Sequence, residues 1–415
     1  MRKRVVILGS LDTKGQEIDF LRGVLRDQGG DPLVLDTGVL GEPRTAADIS
    51  RHQVARSAGT TIGAIIEAGD KARALVVMAE GTARILRQML AQGELGGVLS
   101  IGGSRGTDLG SRVMQSLPVG LPKLMVSTLA SGHNTFGPLV GTRDVTMMPA
   151  VADVMGVNLI TRPILTNAAA AIAAMSRVGG PVDRREMRDE GPVVAATMLG
   201  ASTPLVEQIH HGMAALGCQV VAFHAVGPGG AAMEELVGEG LFDGVFDVTP
   251  AEMAAWVVRG PYAAGPERMH AAARMGLPQV VAPGGLDFII EGPPDRLPER
   301  YRGRATMRHT SSITLVRTSP DELAQVALDM AARLAESSGP ASAILPLCGF
   351  SAFGIEGQPL HHPVADHAFI ETFKAHVPAR VQVVELATHL NDPVVARTAV
   401  QLMHDMLKTS PAPAT

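Results

Sequence analysis

The stretch ILGSLDTKGQE, residues 7–17, closes an apolar run and turns through Gly9 and Ser10 into a segment with helical spacing. An apolar strand that breaks at a small-residue turn and passes directly into a helix is the opening half of a βαβ unit. Two physical uses of such a turn are compatible. Thr13 and Gln16 have the spacing of a capping box, which satisfies free amides at a helix start. The backbone N–H groups from Asp12 to Gly15 can also hold an anion at the helix N-terminus, with Lys14 as counter-charge. Side-chain caps and anion binding draw on different atoms, so the stretch is read as both. It is neither a Walker loop nor the GxGxxG fingerprint, because Lys14 precedes Gly15.

The same pattern repeats outward. RVVILGS, DPLVLDTG, RALVVMAEG, GGVLSIGGS and PKLMVSTLASG read as strands ending in Gly- or Ser-rich turns, with helical spacing over 16–27 and 82–95. NLITRPILTNAAAAIAAM, residues 158–175, reads as an Ala-rich helix with Pro163 in its first turn or at a bend. A charged, Gly/Pro-containing stretch follows, after which the rhythm restarts with PVVAATMLGAS and continues to RVQVVELATHLND. The expected organisation is an N-terminal α/β domain over 1–180, a linker over 181–190, a second α/β domain over 191–408 and a frayed tail over 409–415. LGAS in the second half loosely mirrors ILGS in the first, as a duplication would leave it.

Composition agrees with this class. Of 415 residues, 46% are hydrophobic but only 3% aromatic, so the cores must be aliphatic, as in parallel sheets covered on both faces. A net charge of −5 offers no basic face for nucleic acid. Two cysteines, Cys218 and Cys348, form no metal or redox motif, and no apolar run reaches membrane-spanning length. A cytoplasmic protein, not associated with a membrane, is expected.

In a parallel sheet the loops leaving the strand C-termini share one edge, and ligands bind there. SIGGSRGTD, residues 100–108, places Gly102, Gly103, Ser104, Arg105, Gly106 and Thr107 between a buried strand and a helix, a composition suited to closing backbone amides and hydroxyls around phosphate oxygens. A β-branched residue at Gly103 is expected to abolish such binding. Ser127, Ser131 and Gly132 in STLASGHN, and Glu80 and Gly81 in AEGTAR, are read as lying on the same edge. Asp36, ending the second strand, stands where a ribose-binding carboxylate is found, and equally where a cap is needed. The loops together predict a nucleotide or phosphorylated small molecule as ligand. In the second half His224, the GPGG turn 227–230, Asp247, Gly284-Gly285, Asp287, His309 and Arg317 fall at or near strand ends, and His224, Asp287, His309 and Arg317 are the candidate catalytic groups. LHHPVADH clusters His361, His362, Asp366 and His367, but Pro363 should open a helix and leave the first two histidines outside it, so no metal site is assigned.

Taken in order, LGSLDTKGQE, IGGSRGT, PKLMVSTLASG, DVMGVNLITRPILTNAAAAIAAM, HAVGPGGAAMEEL, LPQVVAPGGLD, ITLVRTSPDE and LPLCGFS resemble the Tm-one-like family, bacterial and fungal relatives of the ATP-binding domain in the plant tobamovirus-resistance protein. The resemblance covers essentially the whole chain. It implies two Rossmann-like domains facing each other across a cleft, binding of ATP with Mg²⁺ as its accompanying ion, and a homodimer or higher oligomer. Carried over by position, the phosphate loops are Gly9, Ser10, Asp12, Thr13, Lys14 and Gly15, and Gly102 to Thr107, with Ser127 to Gly132 beside them. Thr310 and the DFIIEGPP segment depart from the family pattern. Plant members carry a further barrel domain, so a separate barrel-type partner is expected. The alternative is an enzyme acting on a phosphorylated or small acidic metabolite.

Overall fold

The computed structural model describes residues 3–131, 137–184 and 190–409. It divides into two compact units, Met1–Val182 and Asp183–Thr415.

Among its described residues, unit 1 contains five strands, β1 (Arg4–Gly9), β2 (Pro32–Asp36), β3 (Leu95–Gly102), β4 (Lys123–Ser127) and β5 (Thr146–Pro149), and seven helices, α1 (Leu11–Asp27), α2 (Arg51–Ser57), α3 (Ile62–Glu67), α4 (Lys71–Ala91), α5 (Ser104–Gln115), α6 (Gly137–Val140) and α7 (Thr161–Val178). All strand pairs are parallel, in the order β2-β1-β3-β4-β5. Alternate residues point to opposite faces of a strand, and β1 shows it directly. Val5 and Ile7 join Ile18, Leu21, Leu165 and Ile172 from α1 and α7 in one core. Val6 and Leu8 join Met78, Leu86, Leu109 and Val113 from α4 and α5 in the other. Burial on both faces is why these strands read as unbroken apolar runs.

One strand expected from the sequence is a helix. RALVVMAEG lies within α4, whose buried positions Ala74, Met78, Thr82 and Leu86 recur every fourth residue. A short apolar run does not by itself distinguish a strand from a buried helical stripe, and here Asp70 decides: its carboxylate accepts from the amides of Ala72 and Arg73, both at 3.0 Å, and starts the helix. Pro163 lies in the first turn of α7, where its missing N–H costs nothing, and the Asn158 side chain accepts from Ile160 and Thr161.

Unit 2 contains a six-stranded parallel sheet of β6 (Val193–Met198), β7 (Gln219–His224), β8 (Gly244–Asp247), β9 (Gln279–Val281), β13 (Ala341–Pro346) and β14 (Gln382–Leu386), in the order β7-β6-β8-β9-β13-β14. Counted within the unit this is 2-1-3-4-5-6, the reversal seen in unit 1. Its helices are α8 (Thr203–Ala214), α9 (Pro228–Gly238), α10 (Ala251–Val257), α11 (Ala271–Met275), α12 (Pro320–Ala335), α13 (Pro363–His376) and α14 (Pro393–Thr409). Between β9 and β13 the chain adds a small antiparallel sheet, β10 (Phe288–Glu291), β12 (Thr314–Arg317) and β11 (Thr306–Arg308). SITLVRTS, expected to continue the parallel rhythm, therefore belongs to a separate sheet.

Among the described residues no helix is long and apolar enough to cross a membrane, and both cysteines are unpaired.

Candidate functional site

In unit 1 the strand order reverses between β1 and β3, and the loops leaving those strands diverge to either side of the sheet. This is where parallel α/β sheets open a crevice. A cleft of about 360 Å³ lies there, with Ser10 to Lys14 of the first loop on one side and Gly102 to Gly106 of the second on the other. Its apolar wall is made by Leu40 and by Ala74, Leu75 and Met78 of α4. The two loops that the sequence singled out thus meet, and the helix mistaken for a strand supplies the wall.

The α5 end of the cleft is a donor site. Gly103 is the N-cap and carries no side chain to cap the helix, so its first-turn amides lack the usual intramolecular acceptor. The helix dipole adds partial positive charge at the same place. Ser104 and Arg105 are exposed beside it. Gly102 is required by close approach: a Cβ there would lie 2.6 Å from Gly106 Cα and 2.9 Å from its carbonyl carbon. Gly103 has more room, with nothing nearer than Thr128 Oγ1 at 3.7 Å, so Gly102 rather than Gly103 is the intolerant position.

Several side chains expected to reach a ligand instead build the loops. Thr107 Oγ1 and Ser127 Oγ hydrogen-bond to each other at 2.6 Å, and both residues are fully buried. Replacing Thr107 with Val should leave Ser127 short of a partner and lower stability by about 1–3 kcal/mol, which urea denaturation would detect. Asp36 caps the first turn, accepting from Leu11 N at 3.0 Å and Gly38 N at 2.8 Å. Burial outweighs those bonds and holds its carboxyl above the usual range. The cap assignment therefore replaces the ribose one.

The capping box at Thr13 and Gln16 is also not formed. The helix starts three residues earlier, at Leu11 with Ser10 as N-cap, and Thr13 Oγ1 donates to Ser10 O at 3.4 Å. A kink at Lys14 marks the place where the sequence suggested a start. Gly9 and Gly15 sit against Ile18 and Arg44 respectively. Lys14 lines the cleft while its Nζ donates to Val154 O. Glu80 is exposed on α4, and Gly81 packs against the Val54 carbonyl of α2, so neither lies on the strand-end edge. Ser131 lines a neighbouring depression of about 400 Å³ with Thr128 and Asp153, sharing Gly103 and Ser104 with the cleft. Gly132 lies outside the described residues.

Asp12, placed in the first phosphate loop by the family resemblance, uses its side chain in a way that loop composition did not disclose. Its Oδ2 accepts from Leu40 N at 2.8 Å and Gly41 N at 3.0 Å, pinning the outer wall, while its Oδ1 is buried and has no partner among the described residues. The residue is 5% exposed and lines the cleft. A carboxylate oxygen left unsatisfied beside a row of free amides is an acceptor awaiting a donor or a cation.

In unit 2 the candidate groups separate. His224 is exposed at the end of β7. Asp247 is held by Arg268, which is 1% exposed and bonds Asp247 through two nitrogens at 2.5 and 2.7 Å, Glu252 at 2.7 Å and Glu234 at 3.1 Å. Glu252 Oε1 in turn accepts from Gly227 N at 2.6 Å and Gly230 N at 3.0 Å. The amides of the GPGG turn are therefore filled from within by the protein's own carboxylate. Burial raises the proton affinity of Glu252, against the pull of Arg268.

Asp287 and Arg317 do meet, through the backbone: Arg317 Nη1 donates to Asp287 O at 2.7 Å, and its Nη2 reaches Asp366 at 2.5 Å. Arg317 thus holds the Asp366 of LHHPVADH, and His362 is the N-cap of α13. His309 is exposed and packs on Phe353. The Asp287 carboxyl is fully buried and is pushed up to about 6, by desolvation first, with Arg317 and the Ser351 hydroxyl opposing it. Because its folded pKa exceeds the unfolded value, Asp287 favours the native state most below the unfolded pKa. That contribution is lost as pH rises through about 6. The shift corresponds to about 3 kcal/mol. Asp287→Asn should flatten the stability curve between pH 4 and 7, as followed by urea midpoints.

Fold and site together define a two-unit parallel α/β protein with a polar cleft at the strand-order reversal of its first sheet. The chain belongs to the uncharacterised protein family UPF0261: the family's N-terminal domain matches residues 3–180 and its C-terminal domain residues 191–407. It is 37% identical to a UPF0261 protein of Clostridium tetani, over 98% of this chain and all of that one. It is 30% identical to the ToMV resistance protein Tm-1(GCR237) of Solanum lycopersicum, over 98% of this chain, and spans 56% of that longer protein. Among solved structures, an esterase domain from Rhodothermus marinus is similar at a TM-score of 0.30 and 12% identity, covering 52% of this chain and 85% of that one. A likeness of that size has no bearing on function.

Proposed function

We propose that unit 1 binds a nucleotide, ATP in the first instance, with its phosphates at the N-terminus of α5 and its base against the apolar wall of α4. The observation that carries this reading is an uncapped twelve-residue helix opening into a cleft at the strand-order reversal. Backbone amides and a helix dipole suit a polyanion, and Arg105 and Lys14 add charge that no apolar ligand would need. The unpartnered Oδ1 of Asp12 suits a ligand donor or a Mg²⁺ ion accompanying the phosphates. The family resemblance supplies ATP as the particular nucleotide.

Occupancy of this cleft then serves assembly with a partner, a separate barrel-type protein being the one the resemblance favours, and the chain itself is a dimer or higher oligomer in the cytoplasm. Light scattering on the purified protein checks the oligomer. The depression shared through Gly103 and Ser104, with the side chains of Thr128, Ser131 and Asp153, favours a second reading. There the nucleotide or another phosphorylated metabolite reacts with a small hydroxylated or acidic substrate.

Calorimetric titration with ATP and ADP, with and without Mg²⁺, followed by phosphate release on the same sample, separates these readings. Micromolar binding without release supports the binding protein, and release stimulated by a small substrate supports the enzyme. Absence of binding at millimolar nucleotide would remove ATP from the proposal.

A further inference from the structure

A second cluster of chemistry-bearing groups lies in unit 2 and is independent of the nucleotide cleft. β9 and β13 are adjacent in the sheet, so the loops that follow them leave the same edge. The first carries Asp287 and the second Ser351. Ser351 Oγ donates to Asp287 Oδ2 at 2.5 Å and accepts from Phe353 N at 3.1 Å. Asp287 and Ser351 are 0% and 1% exposed.

Asp287 is poorly satisfied for a buried acid. Its Oδ1 has no partner among the described residues, and the hydroxyl of Ser351 is the side-chain donor on Oδ2. Arg317, reaching in from β12, bonds its main-chain carbonyl and the Asp366 carboxylate; its own Nε is also unpartnered. The other charged or titratable groups of the cluster come from α13: Asp366, with His361 and His362 close to it. Buried polar side-chain atoms ordinarily have at least one hydrogen-bond partner, and Asp287 Oδ1 departs from that among the described residues. Here a desolvated carboxylate of high proton affinity is aimed at one hydroxyl proton.

The segment over this pair lies close to it. A Cβ at Gly354 would come within 2.1 Å of Asp287 Oδ2, so only glycine lets the backbone approach the carboxylate. Gly349 and Gly357, with φ of 121° and 81°, bracket the segment with turns in the left-handed region that favours glycine. Between them the Phe353 ring packs on Phe288 and on the exposed His309.

We propose that Ser351 is the nucleophile of a second, covered site in unit 2, with Asp287 as its general base, acting on uncharged esters or thioesters. The surroundings hold two carboxylates against one guanidinium and are walled by phenylalanine, which disfavours anionic substrates. Ser351 Oγ attacks the acyl carbon as its proton passes to Asp287 Oδ2. The C–O or C–S bond breaks, and Asp287 returns the proton to the leaving alkoxide or thiolate. Water then attacks the acyl-serine, giving one proton to Asp287 that is handed back to Ser351 Oγ, and a carboxylic acid departs. Water is the one co-reactant required.

The test uses the intact protein and an uncharged fluorophosphonate, with the modified residue located by peptide mass mapping. The adduct is expected on Ser351, forming about tenfold faster at pH 7.5 than at pH 5 as Asp287 ionises. Ser351→Ala should abolish it, Asp287→Asn should slow it about tenfold or more, and Phe353→Ala, which loosens the cover, should speed it. If neither the native protein nor Phe353→Ala is modified at Ser351, the proposal is overturned. Equal labelling rates in the native protein and Asp287→Asn remove Asp287 as the base and overturn it equally.

Discussion

Replacing Arg268 with Met should unfold unit 2 more readily by about 3–5 kcal/mol, the cost of removing one member of a buried charge cluster and leaving the others. Three carboxylates surround this guanidinium: those of Asp247, Glu252 and Glu234. Each also organises backbone. Glu252 holds the turn at Gly227 and Gly230, Glu234 accepts from Met269 N and Ala271 N, and Asp247 takes the Thr197 hydroxyl. Without the cation, the low-dielectric interior would force these acids toward their neutral forms, and the variant should recover part of its stability as pH falls. Urea unfolding at two pH values gives both the loss and its sign. A loss below about 1 kcal/mol would place the cluster in the class of exposed ion pairs, despite its burial.

The second large effect concerns the unit 1 cleft. Gly102→Val should weaken nucleotide binding about a hundredfold or more, while Gly103→Ala should leave it within a few-fold. The added Cβ at 102 collides with the backbone of Gly106 and comes within 3.1 Å of Thr107 N, and neither can move without unwinding the first turn of α5. Loss of two amide bonds to a charged phosphate is worth about 3 kcal/mol or more, which is roughly two decades in affinity. Equal tolerance at the two positions, measured by calorimetry, would show that the α5 amides are not what holds the ligand.

The legible parts of the sequence were those carried by local chemistry. The runs from Arg4 and Leu95 are strands followed at once by helices, and Gly102 to Gly106 does span the passage from one such strand into its helix. Parallel sheets converge those turns on one edge, so two separate motifs predicted one cleft. What was not legible depends on pairs far apart in the chain. Arg268 finds its partners 16 to 34 residues away, with nothing in RMH to announce it. Asp36 looked like a ligand group because an acid after a strand suits either a ligand or a cap, and the choice rests on which amides fold back to it. RALVVMAEG misled because its apolar run is continuous, hiding the four-residue recurrence that α4 uses. Ser351 had a local sign, a strand followed by GFSAFG, but its meaning depends on Asp287, 64 positions away.

Trp256 follows Glu252 by one turn of α10 and is 38% exposed. It is the chain's one tryptophan, and both tyrosines, Tyr262 and Tyr301, also lie in unit 2. Unit 1 is consequently dark in intrinsic fluorescence, and every photon emitted under tryptophan excitation originates within reach of the Arg268 cluster. Nucleotide added to the native protein has no emitter of its own to perturb in the unit that holds the cleft. Any change in emission on titration, once absorbance by the ligand is corrected, therefore reports on the surroundings of Trp256 in unit 2 and not directly on the cleft of unit 1.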